Sequence, residues 1–258
     1  MEHSPPDATP DAEPLQLYSP MVDPTLVSIV FAVIAIIIAS IFIFKKVFGT
    51  KADTVLLIGL SDSGKTQMFT KLVNSKSQAT TYTSMSENVY EGLLTPQNDT
   101  LRLVDFPGAE KMRKGLSEKW MTKERSSLRQ IVAVIDSGSI KQRARDVAEL
   151  LYDALLESNK KVPMVVACNK QDIGLAKDPE VISRLLESEF SLINNSRAAS
   201  LVSTDGTNAR SVTLSDPEHP FNWEKLPVKV TFIKCCALEV DEEDEDKNLQ
   251  GVREAIGV

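Results

Sequence analysis

Histidine and cysteine are scarce in this chain of 258 residues: His3 and His219 are the only imidazoles, and Cys168, Cys235 and Cys236 the only thiols. So few imidazoles exclude a His-based metal centre or triad as the working site. The cysteines lie in apolar, strand-like runs without C-x-x-C spacing, so they read as reduced, buried thiols of a cytosolic domain, not as a disulfide framework or a zinc site. A dense basic tract is also missing. The net charge of −7 is unevenly placed: the first 25 residues carry Glu2, Asp7, Asp11, Glu13 and Asp23 with no Lys or Arg, and 241–246 is an unbroken acidic run. What remains is mildly positive without the charge density of a nucleic-acid surface, so no direct nucleic-acid binding is expected. Lipid-attachment signals are absent, since residue 2 is Glu and the chain ends Ala255-Ile256-Gly257-Val258 without a cysteine box.

One long apolar run stands against these absences. Residues 1–25 are proline-rich and acidic, which predicts a disordered segment. Leu26 to Phe44 then passes without a charge, and at ~1.5 Å per residue a helix of that length spans a bilayer's hydrocarbon core. A signal peptide would need a basic n-region and a small-residue cleavage site, and neither is present. Lys45, Lys46 and Lys51 follow the run and nothing basic precedes it. The positive-inside rule then predicts a lumenal N-terminus, a transmembrane helix over 26–44, a basic juxtamembrane linker over 45–53 and a cytosolic C-terminal domain over 54–258.

That domain opens on Gly59-Leu60-Ser61-Asp62-Ser63-Gly64-Lys65-Thr66, which fits G-x-x-x-x-G-K-[ST] between an apolar strand and a helix patterned by Met68, Phe69, Leu72 and Val73. Gly59 and Gly64 let the backbone wrap phosphate oxygens, with Leu60, Ser61, Asp62 and Ser63 between them and Gln67 just beyond. Lys65 reaches the β/γ-phosphates, Thr66 can ligate Mg²⁺, and the helix start favours the anion. Further strands are expected at Val89–Leu94, Leu101–Asp105, Ile131–Asp136, Met164–Cys168 and Val228–Lys234, with helices at Ala144–Leu156 and Pro179–Ile193. Apolar strands alternating with helices predict a three-layer α/β domain on a mostly parallel six-stranded sheet. Residues 195–226 read as a mobile insertion, and 241–246 as a solvated loop before a short terminal helix.

Two more segments choose the nucleotide. Asp105-Phe106-Pro107-Gly108 ends a strand in D-x-x-G, where the carboxylate can hold Mg²⁺ and the Gly108 N–H can sense a γ-phosphate. Asn169-Lys170-Gln171-Asp172 follows another apolar strand. Asp172 can accept hydrogen bonds from guanine N1–H and its exocyclic amine, whereas adenine has neither donor and would leave the carboxylate unpaired. Asn169 can brace the phosphate loop, the Lys170 stem can pack on the base, and a backbone N–H at Cys236-Ala237 can meet guanine O6.

Together these segments resemble the Ras/Arf-like small GTPases over residues 52–258. With the N-terminal anchor, Thr83-Ser84-Met85 as first switch and Asp105-Phe106-Pro107-Gly108-Ala109-Glu110 as second, the resemblance narrows to the beta subunit of the signal recognition particle receptor. It implies a single-pass endoplasmic reticulum membrane protein that binds GTP and Mg²⁺ and holds the receptor's alpha subunit for co-translational targeting, with the ribosome or the translocon as further partners. The metal set it implies is Thr66, Thr83 and Asp105, with either Thr83 or Ser84 supplying the switch hydroxyl. An Arf-like role in membrane traffic and a constitutively GTP-loaded structural anchor are the alternatives. Two positions depart from the pattern: Ala109 stands where hydrolytic relatives orient the attacking water with Gln or His, and Leu238 where a Lys completes the base contact. Weak hydrolysis and no catalytic residue are therefore expected. Lys111, Met112, Arg113, Lys114 and Trp120 are candidates for the partner face, or simply a basic helix end with one buried aromatic.

Overall fold

Every second residue of β1 (Thr54–Ile58) faces a different core, because successive strand side chains point to opposite sides of a sheet. Leu56 and Ile58 enter one hydrophobic cluster, Val55 and Leu57 the other. The computed structural model describes residues 24–48, 52–77, 80–159, 161–202, 213–238 and 249–258, and it divides into two units, Met1–Gly49 and Thr50–Val258.

In the second unit, β1 lies centrally in a six-stranded sheet of order β2-β3-β1-β4-β5-β6. Its other strands are β2 (Asn88–Leu94), β3 (Thr100–Asp105), β4 (Leu128–Asp136), β5 (Met164–Asn169) and β6 (Val230–Lys234). All neighbours pair in parallel except β2, which runs antiparallel to β3 along the edge. The first helix of this unit, α2 (Lys65–Val73), and the last, α6 (Gln250–Ile256), cover one face through Met68, Leu72, Val252 and Ile256. The other face is covered by a short α3 (Arg113–Leu116) with the π-turn Ser117–Lys123, by α4 (Ile140–Glu157) and by α5 (Pro179–Val202). This is the α/β arrangement expected of a phosphate-binding domain, with the loops at the carboxyl ends of β1, β3, β4 and β5 converging on one edge.

The expectation of a mobile insertion over 195–226 needs correcting at both ends. Helix α5 runs on to Val202, because Ile182, Leu186, Phe190 and Ile193 keep a buried stripe and Arg197 then pairs with Asp153 of α4. Beyond it, Leu214 and Phe221 are buried, and Phe221 and Trp223 stack on Phe190 with ring centroids 4.8 Å away. The Leu214 N–H donates to the Tyr152 hydroxyl at 3.0 Å, and that hydroxyl donates to Asn194. Residues 203–212 lie outside the described residues, as does the acidic run 241–246.

In the first unit, α1 (Pro24–Phe48) is a 25-residue helix, so it takes in both ends of the expected 26–44 span and the first residues of the expected 45–53 linker. Its described side chains, Thr25 and those of 27–41, are all exposed, Phe31 by 68% and Ile36 by 64%. Among the described residues, no helix is long and apolar enough to cross a membrane. The expected disordered segment falls, up to residue 23, outside the described residues.

Candidate functional site

The loop from β1 to α2 has the shape that its glycines permit. Gly59 and Gly64 take φ +152° and +91°, and a Cβ on Gly64 would sit 2.3 Å from Asn169 Nδ2. Any side chain there would push the loop off β5. Lys65 folds back to donate to the Leu60 carbonyl at 2.8 Å and is almost fully buried. With Ser61, Asp62, Thr66, Gln67, Thr81, Tyr82, Thr83, Ser84, Pro107 and Gly108 it lines a cleft of about 370 Å³. Leu60 and Ser63 do not line it: the Leu60 side chain is in the core, and the Ser63 hydroxyl is buried without a hydrogen-bond partner.

Burial lowers the Lys65 pKa from 10.5 to about 8, with Arg143 adding to the shift and Asp105 and Asp62 opposing it. A bound polyphosphate would restore the proton. Between about pH 8 and 10.5 the unfolded chain binds the proton that the empty folded site releases, so stability without ligand rises with pH across that window. Binding must then take up a proton above about pH 8 and none well below it. Calorimetry of GDP binding at about pH 7 and about pH 8.5, in buffers of differing ionisation enthalpy, checks this. Equal proton uptake at both pH values would sink it.

At the far side of Lys65, hydroxyls and a carboxylate meet. Thr66 Oγ1 donates to Asp105 Oδ2 at 2.7 Å and shares a hydrogen bond with Ser84 Oγ at 2.9 Å. Asn88 Nδ2 donates to Asp105 Oδ2 at 3.0 Å and to Ser84 Oγ at 3.2 Å. The other carboxylate oxygen, Asp105 Oδ1, is buried without a hydrogen-bond partner. Two hydroxyls beside an unused, buried carboxylate oxygen suit a hard cation such as Mg²⁺, which takes oxygen ligands. Ser84 enters this group and Thr83 does not: Thr83 is exposed at the cleft wall, one residue out of phase. Of the two hydroxyls left open by the sequence, Ser84 is thus the one that stands beside Thr66 and Asn88 in this structure.

The segment Asn169–Asp172 follows from the end of β5, and its polar groups are engaged as follows. Asn169, 1% exposed at the end of β5, donates from Nδ2 to the Ser63 carbonyl at 2.9 Å and accepts from the Ala237 N–H at 2.9 Å. Both ends of its amide are committed to protein, and so is the Ala237 N–H that was expected to face guanine O6. Asp172 is exposed, and the Cys236 thiol donates to its Oδ1 at 3.1 Å. Burial and the adjacent carboxylate push the Cys236 thiol up to about 11, and burial alone takes Cys168 to about 12, so both are protonated thiols. Leu238 is 56% exposed beside them.

Sequence reasoning missed three residues. Asp136, at the end of β4, accepts from Lys170 Nζ at 2.8 Å and fixes that side chain. Burial would raise its pKa, but Lys170 and the N–H groups of Ser139 and Gly138 outweigh that and keep the carboxyl below its ordinary value. An Asp closing an apolar strand before Ser-Gly-Ser was the available signal. Asn88 and Arg143 carried none, because their partners are distant in sequence or unpatterned. Ala109 follows Gly108 half-buried, with no group to offer a water, and Glu110 is exposed. Trp120 is fully buried and donates from Nε1 to Glu87 at 3.1 Å, so it is no part of an open partner face.

Comparisons with known proteins agree with this geometry. A human protein, "Signal recognition particle receptor subunit beta", is 36% identical over 222 residues, covering 83% of this chain and 79% of that one. A solved structure of the mammalian SRP receptor is 30% identical with a TM-score of 0.64, covering 79% of this chain and 98% of that one. The Chaetomium thermophilum SRb-GTP/SRX complex, at 20% identity and a TM-score of 0.61 over 81% of this chain and 98% of that one, shares the fold. The family model of the signal recognition particle receptor beta subunit matches residues 50–230, and the chain belongs to that family.

Proposed function

We propose that this chain is the GTP-dependent membrane subunit of the receptor, which captures the alpha subunit when GTP and Mg²⁺ are bound and loosens it with GDP. The observation that carries this reading is the Asn169 amide, which ties the phosphate loop at Ser63 to the base loop at Ala237. One side chain thereby makes recognition of the base and of the phosphates a single event, and Asp172 beside it can accept both guanine donors. Thr66, Ser84 and Asp105 would hold Mg²⁺, which neutralises phosphate charge when bound. Lys65 and the loop N–H groups would bind the phosphates. A γ-phosphate would order the segment of Tyr82 and Met85, exposed by 83% and 69%, and make it a docking face.

Membrane attachment is part of the same proposal. It rests on the sequence and not on a membrane-spanning helix among the described residues: Leu26 to Phe44 is an uncharged apolar stretch, and Lys45, Lys46 and Lys51 follow it. This supports a single-pass anchor in the endoplasmic reticulum with the second unit in the cytosol. Equilibrium binding tests the whole reading. GTP and GDP should bind at least about a hundredfold tighter than ATP, and the alpha subunit at least about tenfold tighter with GTP than with GDP. Comparable ATP affinity, or a partner affinity indifferent to the nucleotide, would refute it.

A further inference from the structure

Arg143 sits on α4, 82 residues from Ser61, and donates from Nη1 to the Ser61 carbonyl at 2.9 Å. Phosphate has no use for a carbonyl, but each carbonyl is coupled to the next N–H through a planar trans peptide in which the two point opposite ways. Among the described residues no peptide bond is cis. A Ser61 carbonyl held toward α4 therefore aims the Asp62 N–H away from α4, and both residues line the cleft. Asp62 needs such a hold. Its φ of +66° is costly for a residue with a side chain and persists only where the surroundings impose it. Lys65 holds the Leu60 carbonyl at 2.8 Å and Asn169 the Ser63 carbonyl at 2.9 Å, but the Ser63 N–H next to Asp62 makes only a 3.4 Å contact with the Leu60 carbonyl.

We infer that Arg143 is a positioning residue for phosphate binding: it locks the Ser61–Asp62 peptide so that the Asp62 N–H donates into the cleft. Arg143 does not itself line the cleft. Its guanidinium acts from behind the loop, on the face opposite the ligand, and so converts a strained, rotatable peptide into a fixed donor. A preformed donor loses no orientational freedom when the anion arrives, and that is where the affinity comes from. The inference rests on the reading that this cleft takes a polyphosphate, and pyrophosphate is chosen as a probe because it carries no base.

The experiment uses the full chain in detergent micelles, titrated with pyrophosphate and with GDP, with the Asp62 amide resonance followed by NMR. Arg143→Ala should weaken both ligands about tenfold, the worth of one oriented hydrogen bond, and abolish the ligand-induced shift of the Asp62 amide. Arg143→Lys, which can still donate to the Ser61 carbonyl, should recover most of the affinity and the shift. Arg145→Ala, exposed on the same helix and paired with Glu149 at 2.9 Å, should leave both unchanged. The inference falls if Arg143→Ala binds pyrophosphate as the parent does, or if Arg143→Lys is no better than Arg143→Ala at equal thermal stability. A parent that binds pyrophosphate but prefers GDP no more than ADP brings down the guanine reading alone, and the pyrophosphate arm still judges Arg143. A parent that binds neither overturns both.

Discussion

Asn169→Ala should lower the stability of the second unit by about 3 kcal/mol and its affinity for GDP about a hundredfold. Truncation leaves the Ser63 carbonyl and the Ala237 N–H without their 2.9 Å partners in a site where Asn169 is 1% exposed. Each orphaned buried group costs about 1–3 kcal/mol, and for a unit of this size that lowers the melting temperature by roughly 10 °C. The affinity loss has a separate origin. Gly64 packs on the Asn169 amide so closely that a Cβ there would lie 2.3 Å from Nδ2, and removing the amide takes away the wall that shapes the loop. Asn169→Asp separates the two effects. Its carboxylate still accepts from Ala237 but repels the Ser63 carbonyl, so it should keep part of the stability and lose the affinity as fully as alanine does. Thermal unfolding and calorimetry read the two quantities. A variant melting within about 2 °C of the parent and binding GDP normally would show that Asn169 is no brace.

Much of this site was legible in the sequence because phosphate and guanine impose local patterns. Gly59, Gly64, Lys65 and Thr66 fall within one turn of chain, and Asn169, Lys170 and Asp172 within another. The strands were legible for a similar reason, since a sheet covered on both faces needs unbroken apolar runs such as Val55–Ile58 and Val165–Cys168. What pattern does not encode is the long-range contact. Arg143 reaches Ser61 across 82 positions from a helix whose exposed neighbours look the same, and Asn88 joins the Asp105 group only because β2 pairs antiparallel with β3. Which of Thr83 and Ser84 joins the Thr66 and Asn88 hydrogen bonds depends on loop phase, which composition does not carry. The segment 195–226 misled for the opposite reason. It is rich in polar residues, yet Phe190, Phe221 and Trp223 form one aromatic cluster that outweighs the local composition.

Ala109→Gln should raise single-turnover GTP hydrolysis about a hundredfold, the usual worth of orienting an attacking water. The backbone at Ala109, φ −69° and ψ 136°, suits any L residue, so the longer side chain adds no strain. The position is also close to the chemistry. Gly108, its neighbour, lines the cleft, and a Cβ on Gly108 would lie 2.5 Å from Lys65 Nζ. A glutamine there brings an acceptor and a donor to the γ-phosphate end, whereas the native methyl brings neither and exposed Glu110 brings a negative charge. Ala109→Leu, similar in bulk but without hydrogen-bonding capacity, should stay at the parent rate, which separates water orientation from packing. If Ala109→Gln binds GTP normally and hydrolyses it no faster than the parent, the side chain at position 109 does not limit hydrolysis. The consequence for the switch follows from the same residue. On the proposed reading the triphosphate orders the docking face, so faster hydrolysis in Ala109→Gln should shorten the lifetime of the alpha-subunit complex formed with GTP. With a non-hydrolysable analogue that lifetime should be unchanged, and a shortening there would mean that Ala109 shapes the docking face itself.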